Sequence, residues 1–226
     1  MGVYFVGSVA LGDYVPGQSD IDIVAVIDRR ISDHEKREVV EALRHPNLSC
    51  PTRGLEFVLY TRDAVEAPPV DAGFEINLNT GPRMTTHVGF DASAEPRFWF
   101  LIDRAIANQF GIVIVGPPAA GVFAPISRRL LLEAMSESIA WHRANEKLGG
   151  SSVFIACRSW RYVDADELGS KNDAAEWARA RSSDPGTIDA ALEQRRGGRA
   201  KLDGPAIATL LGRAQAAITA ALVALR

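Results

Sequence analysis

Two aspartates one residue apart, Asp20 and Asp22, open an apolar run that continues through Ile21, Ile23 and Val24. Side chains alternate faces along a strand, so both carboxylates point the same way. Two carboxylates a few ångströms apart repel, and the arrangement is costly unless one is protonated or a cation lies between them. A hard divalent ion such as Mg²⁺, which takes oxygen ligands and keeps waters and substrate phosphates, suits such a pair. Upstream, Gly7-Ser8 ends an earlier β-rich run. Glycine lets backbone approach a ligand, and serine adds a hydroxyl beside nearby N–H groups, as an anionic phosphate next to a metal requires. An Asp-x-Asp pair alone is common, and on most strands it is a solvated face. The ordered combination with strand character on both sides is more specific.

A third acid, Glu56, lies within the apolar stretch Gly54-Leu55-Glu56-Phe57-Val58-Leu59. An isolated ionised carboxylate buried there needs a partner, a metal or a raised pKa. If its strand lies beside that of Asp20 and Asp22, Glu56 reaches the same ion and can take a proton from an attacking hydroxyl. The competing reading is an edge-strand glutamate facing water. Glu75, between Phe74 and Ile76, is a less favoured candidate of the same kind. The four histidines, His34, His45, His87 and His142, show no metal-ligand spacing. Three of them read as surface residues, and His142 as either lining a cleft or simply buried.

The elements that must position these residues follow from periodicity. Strands are expected at 3–6, 21–27, 55–60, 73–78 and 112–115, from β-branched and apolar runs bounded by turn residues. Ser32 and Glu35 make a capping-box pattern opening a helix to about Arg44, and Pro46 bars its continuation. Glu95-Pro96 opens another helix through about Gln109. Beyond about 116 no strand is expected. Helical spacing instead covers 130–142, 153–162, 171–181, 188–196 and 206–226. The fold class expected is α+β, a mixed sheet with helices over residues 1–118 followed by an all-helical region over 119–226.

Composition sets the outer bounds. The chain has 226 residues, 47% hydrophobic and 23% charged, with a formal net charge of −3. That excludes a disordered chain and an overall basic surface for nucleic acid. Residues 1–120 carry 10 Lys and Arg against 16 Asp and Glu, whereas 121–226 carry 15 against 12. The acidic front suits cations and the basic back suits anions. Cys50 and Cys157 make no disulfide framework and are expected reduced, with Cys157 in the core. No export signal is visible at the N-terminus, and the uncharged run 110–126 is broken by Pro117, Pro118 and Pro125. A cytoplasmic protein without a membrane span is the expectation.

The stretch Gly7-Ser8-Val9-Ala10-Leu11-Gly12 … Ser19-Asp20-Ile21-Asp22-Ile23-Val24 resembles the signature of the nucleotidyltransferase superfamily related to DNA polymerase β. More narrowly, the chain is similar to aminoglycoside adenylyltransferases of the streptomycin/spectinomycin 3''(9) type. Leu55-Glu56-Phe57 matches the strand that supplies that family's base. Arg158-Ser159-Trp160 matches its Arg-x-Trp helix, and Lys171 with Ala174-Ala175-Glu176-Trp177 matches its lysine and following helix.

The resemblance implies a nucleotidyltransferase domain and a helical C-terminal bundle. It implies Mg²⁺, two ions, held by Asp20, Asp22 and Glu56, with Glu56 as general base. Gly7 and Ser8 would hold ATP phosphate, and Arg158 and Lys171 would reach the phosphates across an interdomain cleft. Trp141 and Glu146 would bind the aminoglycoside, Glu146 standing nearest to an acidic residue of the family. Trp160 and Trp177 read equally as core aromatics. The implied reaction moves AMP from ATP to an aminoglycoside hydroxyl and releases pyrophosphate. The partners are then the drug and ATP, with no nucleic acid and no membrane, and with a monomer expected and an oligomer the alternative. Two other readings compete: transfer to a protein or RNA acceptor, as in toxin–antitoxin nucleotidyltransferases, and a catalytically silent nucleotide-binding relative. The acidic front disfavours the RNA version. Family members carry a helix ahead of the Gly-Ser strand, so the sheet face that it covers is expected here to be open or covered otherwise.

Overall fold

The computed structural model of the chain describes residues 1–67 and 71–226. They form two compact units, Met1–Ile126 and Ser127–Arg226. The division lies after Ile126 rather than after 118. Ala119, Val122 and Phe123 are buried in the first unit's core with Tyr4 and Phe100. The Phe123 ring meets Tyr4 edge-on at 5.4 Å, and Asn108 Nδ2 donates to the Phe123 carbonyl. The prolines and glycines after Val115 therefore turn the chain back onto the sheet before it leaves.

The first unit is built on six strands: β1 (Gly2–Phe5), β2 (Ile21–Ile27), β3 (Leu55–Thr61), β4 (Phe74–Gly81), β5 (Met84–Gly89) and β6 (Ile112–Val115). Their order in the sheet is β5-β4-β3-β2-β1-β6. Only β2 and β3 run parallel, and the other pairs are antiparallel. The β2–β3 crossover carries α2 (Asp33–Leu43), with Ser32 and Glu35 in a reciprocal capping box. That box satisfies two N–H groups that helix formation leaves without partners. A one-turn helix, α1 (Gly7–Ala10), follows β1, and a short α3 (Arg62–Glu66) follows β3. The long α4 (Arg97–Phe110) precedes β6.

Period-2 alternation gives the sheet two different faces. One packs Tyr4, Val24, Val26, Tyr60 and Phe74 against Val65 of α3 and Phe100 and Ala107 of α4. The other carries Ala25, Leu55, Phe57, Leu59, Ile76 and Leu78, joined by Val40 of α2. Beyond α2 this second face opens into an apolar groove of about 870 Å³ lined by Val3, Phe5, Ile21, Ile23 and Val39 among others. The hairpin strand β5 was not expected from the sequence. Its residues Thr85, Thr86 and His87 are exposed on the sheet's edge, so no apolar alternation announces it.

The second unit is helical: α5 (Arg128–Asn145), α6 (Gly150–Ala165), α7 (Lys171–Arg179), α8 (Gly186–Arg195) and α9 (Gly204–Ala224). The central α6 packs on each of the other four. Cys157 is fully buried within it, as its apolar setting implies. Helix α9 is long and apolar enough to cross a membrane by length and composition, a feature missed in the sequence. Its stripe of Ile207, Leu211, Ala214 and Ile218 is buried, and it packs against α5 and α6.

Glu75 is a structural residue. Its buried carboxylate lies 2.9 Å from Lys36 Nζ, and Lys36 is itself only 12% exposed at the side chain. Arg30 Nε lies 3.8 Å from the same carboxylate but is almost fully exposed, so removing Lys36 leaves the buried Glu75 charge with only that weak, solvated partner. Lys36→Met is expected to lower stability by about 3 kcal/mol, read as a fall in the urea midpoint. Lys36→Met combined with Glu75→Leu should regain most of that loss.

Candidate active site

Asp22 and Glu56 are register partners across the parallel β2–β3 pair, so their side chains stand next to each other on one face. Asp20 lies just ahead of β2, where the Ile21 N–H donates to the Gly54 carbonyl at 2.9 Å and extends the pairing. Carboxylate oxygens of Asp20, Asp22 and Glu56 all lie within 4.8 Å of one another. The three side chains are half-buried. The edge-strand alternative for Glu56 therefore fails, because β3 is flanked by β2 and β4.

The segment between β1 and β2 closes over these acids. Gly7 has φ +53, and a Cβ there would lie 2.0 Å from Asp22 Oδ2. Only glycine leaves the Asp22 carboxylate its place. The Ser8 N–H points at Asp22 Oδ2 at 3.4 Å. The Ser8 hydroxyl is buried and has no hydrogen-bond partner among the described residues. Ser19 anchors the end of the segment, its Oγ accepting from the Val15 N–H at 3.0 Å. Arg53 Nη1 donates to Asp20 Oδ2 at 3.2 Å from the solvent side.

The Asp22 carboxyl is held well above the usual aspartate range. Burial is the largest cause, followed by the charges of Glu56, Asp20 and Asp103, against which the Ser8 N–H works only weakly. Asp103 on α4 is a fourth acid within electrostatic reach. Nothing in its spacing marks it in the sequence, since it is one charge on an amphipathic helix.

The donor set fits a divalent cation. Oxygen ligands held about 2.1 Å from Mg²⁺ lie about 3–4 Å apart, so small side-chain rotations close the triad on an ion. A cation would relieve the repulsion that raises the Asp22 pKa, and the orphaned Ser8 hydroxyl offers a donor to an anion beside it.

The other expected site residues belong to the second unit. Trp141 is half-buried near the end of α5, its ring edge-on to His142 at 5.0 Å, and Glu146 caps that helix with an exposed side chain. His142 is buried, and its Nδ1 is 2.7 Å from the Ser138 carbonyl, so it donates there. Arg158 is half-buried on α6, and Lys171 is the exposed first residue of α7. Trp160 and Trp177 pack edge to face at 5.4 Å, which accounts for both as packing residues. Of the remaining histidines, His34 is exposed, His45 is half-buried, and His87 pairs with Glu95 at 2.6 Å.

Comparison with known proteins divides along the same lines. Residues 2–70 match the nucleotidyltransferase domain, and residues 121–215 match the aminoglycoside adenylyltransferase C-terminal domain. The chain is thus similar to aminoglycoside adenylyltransferases in both of its units. It is 24% identical over 188 residues to an aminoglycoside (3'') (9) adenylyltransferase of Klebsiella pneumoniae, covering 80% of this chain and 71% of the relative. A protein of the same description from Rhizobium radiobacter is 25% identical over 181 residues, covering 77% and 67%. The fold is that of a spectinomycin adenyltransferase from Enterococcus faecialis solved with ATP and spectinomycin. That match has a TM-score of 0.71 at 14% identity and covers 97% of this chain and 91% of the other.

Because Asp22 binds its proton more tightly in the folded chain, metal-free protein loses stability as pH rises from the ordinary aspartate value near 3.8 through Asp22's raised one. Asp22→Asn is therefore expected to melt above wild type at pH 8 without metal, and to miss the upward shift that Mg²⁺ gives wild type. Thermal melts with EDTA and with Mg²⁺ check both. Gly7→Ala should also lose the Mg²⁺ shift, since the new methyl displaces the Asp22 carboxylate.

Proposed function

We propose that the protein transfers AMP from Mg·ATP to a hydroxyl of an aminoglycoside of the streptomycin or spectinomycin kind, releasing pyrophosphate. The observation that carries this reading is the convergence of Asp20, Asp22 and Glu56 beside the left-handed Gly7 and the orphaned Ser8 hydroxyl. The names of the relatives narrow the acceptor to an aminoglycoside.

Asp20, Asp22 and Glu56 would hold the ion, which would supply charge neutralisation at the phosphates. The chain's own residues do the rest. Gly7 and Ser8 bind phosphate oxygens through backbone approach and a hydroxyl donor. Glu56 takes the proton from the attacking hydroxyl, a role that needs a carboxylate at the edge of the ion site. Arg158 and Lys171 supply cationic charge to the departing pyrophosphate. Trp141 offers a flat apolar surface to a sugar ring, and Glu146 an acceptor for its amino or guanidino groups. Catalysis then rests on positioning and preset electrostatics rather than on covalent chemistry by the protein.

Pyrophosphate release with Mg·ATP, screened across streptomycin, spectinomycin and other aminoglycosides, tests the reading. Wild type should turn over at least one of them. Asp20→Asn and Glu56→Gln should each lose at least 100-fold in kcat/KM, the order seen when one electrostatic or proton-transfer group is removed, with melting curves retained. Full turnover by Glu56→Gln would remove it from the base role, and label from ATP on protein with none on drug would move the acceptor to a protein.

A further inference from the structure

The face that carries Glu56 continues across the sheet away from Asp22. Asp22, Glu56, Asn79 and His87 are successive register partners across β2, β3, β4 and β5. Opposed residues project to the same face, and neighbouring strands lie about 4.8 Å apart. Asn79 therefore flanks Glu56 on the side opposite Asp22, and His87 lies one strand farther out. Asn77, two residues along β4, shares that face and is only 8% exposed. A Cβ at Gly89, the register partner of Asn77, would lie 2.9 Å from Glu95 Oε1 and 3.5 Å from the Asn77 Cβ. The Glu95 carboxylate thus lies over this part of the sheet, held by His87 Nε2 at 2.6 Å.

The amides of Asn77 and Asn79 make no side-chain hydrogen bond among the described residues. Asn77 is buried and Asn79 half-buried, and with no protein partner their amide groups are left to bond water or a ligand lying on this face. Gly7, Ser8, Asp20 and Asp22 occupy the β1–β2 side of Glu56 and leave it for the nucleotide. A hydroxyl that gives its proton to Glu56 while attacking that nucleotide must arrive from the opposite side, over β4 and β5.

On the reading of the protein as a nucleotidyltransferase with a hydroxyl acceptor, we infer that Asn79, Asn77 and the His87-held Glu95 form the acceptor subsite of the first unit. The Asn79 and Asn77 amides hydrogen-bond hydroxyls of a polyhydroxylated acceptor next to the one that reacts. Glu95 pairs with an ammonium or guanidinium group of the same molecule. The subsite therefore selects acceptors that are both hydroxyl-rich and cationic, and it acts on binding rather than on proton transfer.

Two measurements on the full chain test this. Calorimetry follows streptomycin and spectinomycin binding in the presence of Mg²⁺ and a non-hydrolysable ATP analogue, and a pyrophosphate assay gives KM for drug and for ATP separately. Asn79→Ala is expected to weaken drug binding and raise the drug KM about tenfold, with ATP affinity and melting temperature unchanged. Asn79→Gln should recover part of the loss. Glu95→Gln should weaken streptomycin, with its guanidinium groups, more than it weakens an acceptor of lower charge. Unchanged drug affinity in both Asn79→Ala and Glu95→Gln, with wild type turning over, overturns the subsite and leaves the proposed reaction standing. Drug binding that Asn79→Ala weakens, without any AMP transfer by wild type, keeps the subsite and removes the reaction. Wild type that neither binds nor modifies any aminoglycoside overturns both.

Discussion

The first unit is organised around a repulsion. Asp20, Asp22 and Glu56 are brought within 4.8 Å, with Asp103 close enough to add its charge. Nothing in ordinary packing favours such crowding, since each acid raises the energy of its neighbours' ionised forms. The surrounding chain is built to tolerate it. Gly7 gives up a side chain so that Asp22 has room, the Ser8 N–H points at it, and Arg53 screens Asp20. Like-charge contact of this kind persists where the rest of the structure over-determines it, and it concentrates at sites that act on ligands.

That over-determination comes from the sheet. Parallel pairing of β2 with β3 sets Asp22 beside Glu56, and antiparallel pairing of β3 with β4 sets Asn79 beside Glu56 on the other flank. The proposed base thus stands between an acidic, glycine-lined side and an amide-lined side. Backbone hydrogen bonds fix this ordering, and side-chain choice only dresses it. A one-residue slip in either register would turn the acids into the apolar groove on the opposite face. The buried Ile76 and Leu78, alternating with Asn77 and Asn79, hold β4 against that slip.

Much of this was legible in residue order. The Ser32–Glu35 capping box, the β-branched run of β2 and the helical stripe of α9 each follow from a local rule, and each is found where the rule puts it. Glu56 was legible because a charge within an apolar strand demands an explanation. The strand β5 was not, because an exposed edge strand needs no apolar alternation. The end of the first unit was misplaced, since Pro117 and Pro118 look like a linker while Phe123 beyond them is core. Glu75 resembled Glu56 in sequence, and only its ion pair with Lys36 separates a structural acid from one at the site.

By itself the sequence determined which residue types stand at which alternating positions. It therefore carried the shared face of Asp20 and Asp22, the glycine and serine ahead of them, and the change from strand to helix patterning along the chain. Those are local facts, set by periods of two and 3.6 residues. Tertiary structure alone decided which strands are neighbours and in what register. That choice made Glu56 a partner of Asp22, put Asn79 on its far side, and left Glu75 to Lys36. Such pairings join residues far apart in the chain, and no local period encodes a distance of that kind.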